Sequence, residues 1–332
     1  MDRRRFLALA GACAGVGCMG CARNSQPERI RVSAQPLFSM SSLYLAKELG
    51  YFDALGLQVE IENVASSVQA IPLAAGGKID VVFSASSPSL VNAIARGARL
   101  RIVAGRDIAA PNCSNHSTLY GRRDVFPDGL QDVRLLKGKR VAAELTASLG
   151  SFSVDMILAK AGMTTEELNI VKMRKPEMVV SLLSNKVDAI FISDFAARLE
   201  DERFVRGLRL ADVLPNHQIA FIIFGARLLD ENLEVGVKFL GACLHGAREY
   251  FQGKTPKFSD DLAVSNGMDP IAARETCRDN FVLDGRIDLP SLDRFTQWAV
   301  AKKLCPVSVQ SSQLVDMRFL NGQPRYQRES QL

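Results

Sequence analysis

Small hydroxyl residues follow three predicted strands, at the points where the chain turns into a helix. Each of these loops places backbone N–H groups and hydroxyls at a helix start, where an anionic or strongly polar group binds well. Ser and Thr are also preferred helix caps without any ligand, so plain capping is the simpler interpretation of any one loop. Three loops that converge on one cleft favour a binding site. Its residues are Ser39, Ser41, Ser42, Ser84, Ser86, Ser87, Thr146, Ser148, Gly150 and Ser151.

Two acidic residues lie near the same strand ends. Asp194 follows a strand of the second half of the chain, where it either accepts a hydrogen bond from a ligand or caps the helix FAARLE. Asp107 is predicted to follow the fourth strand, where it contacts a solute or solvates a hinge. Phe38 and Met40 fit an apolar pocket wall and a protein core equally well.

Catalytic motifs are not found in the sequence. No GxSxG, HExxH or P-loop pattern occurs. A Ser–His–Asp triad would need His116, His217 or His245, and nothing indicates one. Asn216 and His217 stand where the floor of a cleft would lie, although a polar turn after Pro215 is the slightly simpler interpretation. We therefore expect a binding protein with no catalytic residues and no cofactor.

The cysteines give no metal or redox pattern. Cys113, Cys243, Cys277 and Cys305 lie in the body of the chain, and their spacing fits no CxxC motif. An exported protein could form a disulfide, but the pairing stays open at this point. Cys243 lies on the apolar face of a predicted helix, which favours a packed thiol.

Strands and helices alternate through the first two thirds of the chain. Segments such as IDVVF are short and almost wholly apolar, which is typical of strands covered on both faces of a parallel sheet. The alternation predicts an α/β protein. The predicted strands are Ile30–Ala34, Leu57–Val64, Asp80–Phe83, Arg101–Ala104, Lys139–Ala143, Asn169–Lys172 and Ala189–Ile192, and the first helices are Ser42–Leu49, Ser67–Ala75 and Pro88–Arg96.

The pattern repeats itself once. RVAAELTASLGS, which starts at Arg140, matches RVSAQPLFSMSS, which starts at Arg31. Further on, NKVDAIF, which starts at Asn185, matches GKIDVVF, which starts at Gly77. The two matches occur in the same order and with almost the same offset along the chain. They therefore predict two lobes with similar wiring.

Two apolar strands flank the second lobe, and we interpret His116–Arg122 and Ala220–Ala226 as the crossovers out of the first lobe and back into it. The rest of the chain is predicted to be mainly helical, with a late helix that begins at Pro290. Since it contains no further strand–helix units, we expect it to wrap the first lobe. The predicted domains are an export signal at 1–21, a spacer at 22–28, a first lobe at 29–115 and 220–320, and a second lobe at 116–219.

The N-terminus MDRRRFLALAGACAGVGCMGC has a basic start, a short apolar run and small residues, which predicts an export signal. Its apolar run is too short to span a bilayer. The RRRFL run resembles a twin-arginine signal, and Cys18 or Cys21 fits a lipoprotein cleavage site; an ordinary signal with incidental cysteines is the alternative. The net charge is +5, and the basic residues are scattered, which argues against nucleic-acid binding.

Several of these segments together resemble a known family. LYLAKELGYFDALGLQVEIENV, GKIDVVFS, LKGKRVAA, LAKAGM and LDRFTQWAVAKKL look like the periplasmic solute-binding proteins of ABC importers. The branch includes binders of aliphatic sulfonates, taurine, nitrate and thiamine-pyrimidine precursors. The resemblance covers about Arg29 to Cys305.

The resemblance implies a type II periplasmic-binding-protein fold, with two mostly parallel sheets flanked by helices and two crossover segments. It also implies a monomer that closes on a small solute, delivers it to a membrane permease and is held at the membrane by a lipid anchor. The alternatives are an exported enzyme on the same scaffold, desulfinase-like or pyrimidine-synthase-like, using His116 or His217 with Cys113, and a solute-sensing domain. The first-strand loop QPLFSMSS contains no cysteine, so neither enzyme signature is visible. The loop FISDFAAR departs from related sulfonate binders, so their ligand is not transferred.

Overall fold

The computed structural model describes residues 26–64, 67–113, 117–143, 148–192, 199, 201–265, 270, 278–305 and 309–323. The predicted export signal with Cys18 and Cys21 lies outside the described residues, as do His116, Thr146, Asp194 and Cys277. No helix within the described ranges is both long and apolar enough to cross a membrane.

Two sheets of five strands each organise the described part of the chain. The first sheet contains β1 (Glu28–Ala34), β2 (Leu57–Asn63), β3 (Val81–Ala85), β4 (Leu100–Ile108) and β10 (Gln218–Gly225). The second sheet contains β5 (Thr118–Arg122), β6 (Arg140–Ala143), β7 (Asn169–Lys172), β8 (Ala189–Ile192) and β9 (Phe204–Arg209).

The two sheets have the same connectivity. Their strand orders are β2-β1-β3-β10-β4 and β7-β6-β8-β5-β9. In each sheet the strand that arrives from the other lobe is antiparallel to both of its neighbours. The central pairs are also equivalent, since Val32 pairs with Val81 and Val141 pairs with Ala189, both in parallel. The predicted α/β class and two-lobed, mostly parallel architecture are confirmed.

The largest differences from the predicted strands concern β4, β10 and β9. β4 continues to Ile108, beyond its predicted end at Ala104. β10 begins at Gln218, before its predicted start. β9 was missed, because two arginines and a glycine interrupt the apolar run FVRGLR. Since β9 is the edge strand of its sheet, it needs a partner on one side only, and its exposed Arg206 is tolerated there.

The helices cover both faces of both sheets. They are α1 (Ser41–Glu48), α2 (Ser67–Ala75), α3 (Pro88–Ala95), α4 (Leu149–Ala159), α5 (Lys175–Leu183), α6 (Leu210–Val213), α7 (Leu233–Phe251), α8 (Lys257–Ser265), α9 (Leu289–Ala301), α10 (Ser311–Leu314) and α11 (Arg318–Asn321). On the first sheet, α1 and α7 pack on one face, while α2, α3 and α9 pack on the other. The helical tail therefore contributes to both faces of the first sheet.

One of the apolar clusters is not confined to a single lobe. It combines side chains of β3, β10 and α9 with Phe152 of α4 and with Leu210 and Ala211 of α6. Since α4 and α6 flank the second sheet, this cluster joins the lobes next to the crossover segments.

Candidate functional site

The carboxyl ends of the parallel strands in both sheets face the segments that connect the lobes. β4 ends at Ile108, which pairs with Gln218 at the start of β10. β8 likewise pairs at its end with Thr118, the first residue of β5. The connectors are hydrogen-bonded to each other, since the N–H of Ala109 donates to the carbonyl of His217 at 2.8 Å. Because ligands of parallel sheets bind beyond the carboxyl ends of strands, the cleft between these two edges is the candidate site.

The start of α1 forms the first edge of this cleft. Phe38, Ser39 and Met40 make one turn of 3-10 helix directly before it. The N-cap residue of α1 is Met40, and its side chain makes no capping hydrogen bond. Ser41 is buried, and its hydroxyl is hydrogen-bonded to that of Ser259 in α8. Ser41 therefore attaches α8 to α1, whereas Phe38 and Ser39 stay partly exposed at the helix start.

The end of β3 and the loop after it contain three predicted site serines with different roles. The prediction that Ser84 follows the third strand is wrong, because Ser84 lies within β3. Ser87 is the N-cap of α3, and its hydroxyl accepts from the N–H of Leu90 at 3.3 Å. The hydroxyl of Ser84 donates to the carbonyl of Ala85 at 2.8 Å. The buried hydroxyl of Ser86 has no hydrogen-bond partner among the described residues. Plain capping thus accounts for Ser87, and Ser86 is the member of this loop that retains binding capacity.

A bulge in β4 places a charged pair at the same edge. Ala220 pairs with Asp107 and Phe221 pairs with Gly105, so Arg106 is the extra residue between them. The prediction that Asp107 follows the fourth strand is therefore wrong, because it lies within β4. The bulge interrupts the alternation of side chains, and this allows two successive residues to form an ion pair.

Arg106 is a buried cation that the sequence prediction missed. Its Nη2 lies 2.7 Å from Asp107 Oδ2, and the side chains are only 7% and 1% exposed. Its Nη1 donates to Met40 Sδ at the start of α1, and its guanidinium lies 5.9 Å from the ring centre of Phe83. Nε has no hydrogen-bond partner in the described ranges. The sequence signal is an Arg–Asp pair inside the strand RIVAGRDI, which is apolar apart from this pair and Arg101.

A further chain segment borders this charged pair. The N–H of Ile108 donates to the carbonyl of Asn280, and Phe281 forms an antiparallel bridge with Asp107. Asn280 is 3% exposed, and its Oδ1 has no partner among the described residues. A cavity of about 10 Å³ lies between Ser42, Arg106 and Phe281. It is too small for an organic solute, so it is not the solute site.

The second lobe contributes the start of α4. Ser148 is the N-cap residue, yet its hydroxyl makes no capping hydrogen bond and has no partner within the described residues. Ser148, Gly150 and Ser151 are partly exposed. The structure therefore places Ser148 at a helix start, with a hydroxyl that has no partner among the described residues. Ser86 of the first lobe also has a hydroxyl without such a partner.

Asn216 and His217 have opposite environments. Asn216 is exposed, with a positive φ of 60°, in the connector. His217 is 2% exposed and stacks on Phe152 at 5.1 Å between ring centres. Burial, followed by the charge of Arg294, lowers its pKa to about 4, although Asp288 acts in the opposite direction. His217 is therefore neutral near pH 7.

The tautomer of His217 follows from its neighbour. Arg294 Nη1 lies 3.3 Å from Nδ1 of the ring. Because a guanidinium only donates, Nδ1 accepts and the ring proton lies on Nε2. Nε2 is buried without a hydrogen-bond partner in the described part of the chain. His217 is therefore buried at the junction of the lobes and does not lie in an exposed turn.

The described cysteines are either disulfide-bonded or buried. Cys113 is disulfide-bonded, so it offers no thiol for a nucleophile. Cys243 and Cys305 are free but buried, and burial raises the pKa of both thiols. In the described ranges, no group of three or more His, Cys, Asp and Glu side chains could hold a metal ion.

An open groove of about 760 Å³ lies at the other end of the second lobe. Arg122, the last residue of β5, and Phe204, the first residue of β9, line it together with Arg123 and Arg203. The three arginines donate to nearby carboxylates or carbonyls. Since β5 begins near the connector at Thr118 and ends at Arg122, the groove is remote from the candidate cleft.

The fold is that of two-lobed periplasmic binding proteins. The alkanesulfonate-binding protein SsuA from Xanthomonas axonopodis pv. citri, bound to MOPS, superposes with a TM-score of 0.67 and 19% identity, covering 88% of this chain and 99% of that chain. The periplasmic aliphatic sulphonate binding protein SsuA from Escherichia coli gives 0.64 and 19%, with 92% and 96% covered. A DszB mutant in complex with biphenyl-2-sulfinic acid gives 0.62 and 14%, with 89% and 98% covered.

The family model described as NMT1/THI5 like matches residues 38–253. The chain therefore belongs to the NMT1/THI5-like family. A search of curated proteins finds no match to this chain.

Proposed function

We propose that this protein is an exported solute receptor of an ABC importer, which binds a small anionic or strongly polar molecule between its lobes. The observation that carries the proposal is the pair of helix starts on facing sheet edges. Ser148 is the N-cap residue of α4 in the second lobe, and the first lobe contributes α1 and the loop with Ser86. Each lobe supplies half of the donors, so a bound solute stabilises the closed arrangement by bridging both.

The charges of the site favour a solute with one anionic or polar group. The helix starts provide positive partial charge and backbone donors. Arg106 adds a buried guanidinium, but Asp107 largely neutralises it. A multiply charged anion would therefore lack compensating cations, whereas a sulfonate, nitrate, carboxylate or polar heterocycle fits the donors. The names of the two SsuA structures support a sulfonate as the first group to test.

The remaining predictions are part of the same proposal. They are the export signal at residues 1–21, a lipid anchor at Cys18 or Cys21, the spacer at 22–28, delivery to a permease, and the lobe boundaries at 29–115, 116–219 and 220–320. A lipid anchor would keep the receptor close to its permease.

The first test is a thermal-shift screen of the protein lacking residues 1–21 against alkanesulfonates, nitrate, carboxylates, pyrimidines and flavins. A solute that binds only the folded protein raises the melting temperature. We expect a clear hit whose affinity, measured by calorimetry, falls about tenfold or more in the double variant Ser148→Ala, Ser151→Ala.

Ser184→Ala is the matched control, since its hydroxyl donates to the carbonyl of Val180 at the end of α5, away from the start of α4. The control should bind like the wild type. A hit that the double variant binds equally well would contradict the proposed position of the site. No hit in any solute class would remove most of the support for the receptor function.

A further inference from the structure

Helix α4 of the second lobe is docked on helix α9, which packs on the first sheet. Phe152 of α4 is fully buried at this contact. Its ring lies 5.4 Å from that of Phe295 and 5.4 Å from that of Trp298, measured between centres, and 5.1 Å from that of His217. An aromatic side chain of one lobe is thus enclosed by three rings from the other lobe and the connector.

A polar contact lies one helical turn further along α4. Asp155 Oδ2 accepts a hydrogen bond from Trp298 Nε1 at 2.7 Å and lies 3.0 Å from Lys302 Nζ. Lys302 is the C-cap residue of α9, so its charge also suits the helix dipole. The Asp155 side chain is 13% exposed and that of Lys302 is 41% exposed. One carboxylate therefore holds two donors of the opposite lobe.

The docking contact and the candidate site are on the same helix. Ser148, Gly150 and Ser151 start α4, and Phe152 is the next residue. A helix of this length moves as a rigid element, so the position of Phe152 against α9 sets the position of Ser148 at the cleft. Any lobe movement that withdrew α4 from α9 would expose Phe152 and Trp298 and would remove both donors from Asp155.

We propose that the contact between α4 and α9 is a latch that holds the lobes together and sets the balance between closed and open forms. The functional role of this latch rests on the proposed function, because a solute can enter the cleft only when the lobes separate. The latch itself is a property of the ligand-free chain. Its strength determines how much of the protein is closed before any solute arrives, and this fraction scales the apparent affinity.

The tryptophan makes the latch measurable. The chain contains one tryptophan, Trp298, and it is 8% exposed. Acrylamide quenching of its fluorescence therefore reports the accessibility of the latch alone. For Asp155→Ala and for Lys302→Met, we expect the quenching constant of the purified protein without solute to rise about twofold or more. The radius of gyration from small-angle X-ray scattering should increase in the same variants.

Lys238→Met is the matched control. Lys238 is also 41% exposed and also lies near a carboxylate, but its partner Glu234 is in the same helix at 2.7 Å. This variant should have the quenching constant and radius of the wild type. Phe152→Ala should open the lobes further, and its far-UV circular dichroism and thermal melting separate opening from unfolding.

Trp298→Phe provides a second reading, since it keeps an aromatic ring and removes the donor. Its radius of gyration should increase as in Asp155→Ala. Unchanged quenching in Asp155→Ala and Lys302→Met, with an unchanged radius in all variants, would overturn the latch. Because no solute is used, a failed solute screen leaves this result intact, and a failed latch leaves the screen intact.

Discussion

Arg140 holds Asp188 in the second lobe with the same atoms that Arg31 uses to hold Asp80 in the first. The backbone N–H of each arginine donates to Oδ2, at 3.0 Å and 2.8 Å, and each Nε donates to the same oxygen, at 3.1 Å and 3.2 Å. The two sequence matches have almost the same offset along the chain. They correspond to one repeated clamp, which joins β1 to the residue before β3 in the first lobe and β6 to the residue before β8 in the second.

We expect the two clamps to differ in strength, and removing each carboxylate tests this. Asp80 is more buried and also accepts from Arg227 Nε at 3.0 Å. Asp80→Asn should lower the free energy of unfolding at pH 7 by about 2–4 kcal/mol, and Asp188→Asn by about 1–2 kcal/mol because solvent screens that pair more. Urea denaturation measures both.

The acid sensitivity of the clamps follows from their pKa directions. Burial raises the pKa of Asp80, but hydrogen bonds from Arg31 and Arg227 outweigh it and the pKa lies below its usual value. The hydrogen bond from Arg140 lowers the pKa of Asp188. Both contributions to stability are present above the ordinary pKa of 3.8 and are lost as the pH falls below it.

Asp132→Asn, at an exposed pair with Arg134, is the control for both clamps, and its free energy of unfolding should equal that of the wild type. Equal losses in all three variants would contradict this ranking.

Adjacent buried serines in the loop after β3 should respond in opposite ways. Ser87→Ala removes the cap of α3 and should cost about 1 kcal/mol of unfolding free energy. Ser86→Ala removes a hydroxyl without a hydrogen-bond partner among the described residues, so stability should change by less than about 0.5 kcal/mol. Solute affinity, once a solute is found, should fall in Ser86→Ala and persist in Ser87→Ala. The reverse pattern would show that Ser86 is structural.

His217 should make the protein sensitive to mild acid. Its pKa is about 4 in the folded protein against an ordinary value of 6.5. The unfolded chain therefore binds a proton first, and stability is complete above pH 6.5 and declines as the pH falls towards 4. The loss attributable to this residue is at most about 3 kcal/mol. In His217→Gln, the difference in unfolding free energy between pH 7.5 and pH 4.5 should shrink by a comparable amount. An unchanged difference would mean that His217 titrates normally.

The close approach of α1 and α7 depends on Gly246. A Cβ there would lie 2.5 Å from the carbonyl oxygen of Ser42 and 2.6 Å from Cβ of Ala46, both in α1. Gly246→Ala should destabilise the protein by about 1–3 kcal/mol and displace the α1 start that forms part of the cleft. Gly241→Ala in the same helix meets only the end of the Gln323 side chain, so the gain in helix propensity, up to about 1 kcal/mol, should remain. Thermal unfolding of both variants measures the contrast, and similar melting temperatures would contradict it.

Local sequence signals were sufficient for the α/β class, the repeat and the helix starts. Apolar runs such as IDVVF are long enough to indicate strands covered on both faces. The structure has strands at these runs, such as β3 and its counterpart β8. Ser87 and Ser148 were found because N-cap positions depend on a few consecutive residues. Whether such a residue caps a helix or binds a solute depends on its hydroxyl partner, and composition carries no information about that partner.

The residue sequence alone determined the alternation of elements, their order and the duplication. The first two depend on periodicity within single segments, and the duplication depends on matches between segments. The tertiary structure decided which residues join the lobes and which charged groups lie at the candidate cleft. A bulge between β4 and β10 buries Arg106 against Asp107, and Phe152 finds its three aromatic neighbours in segments that are distant along the chain. Contacts of this kind arise only when distant segments pack together, and the burial and pairing that give these residues their roles are properties of the packed molecule.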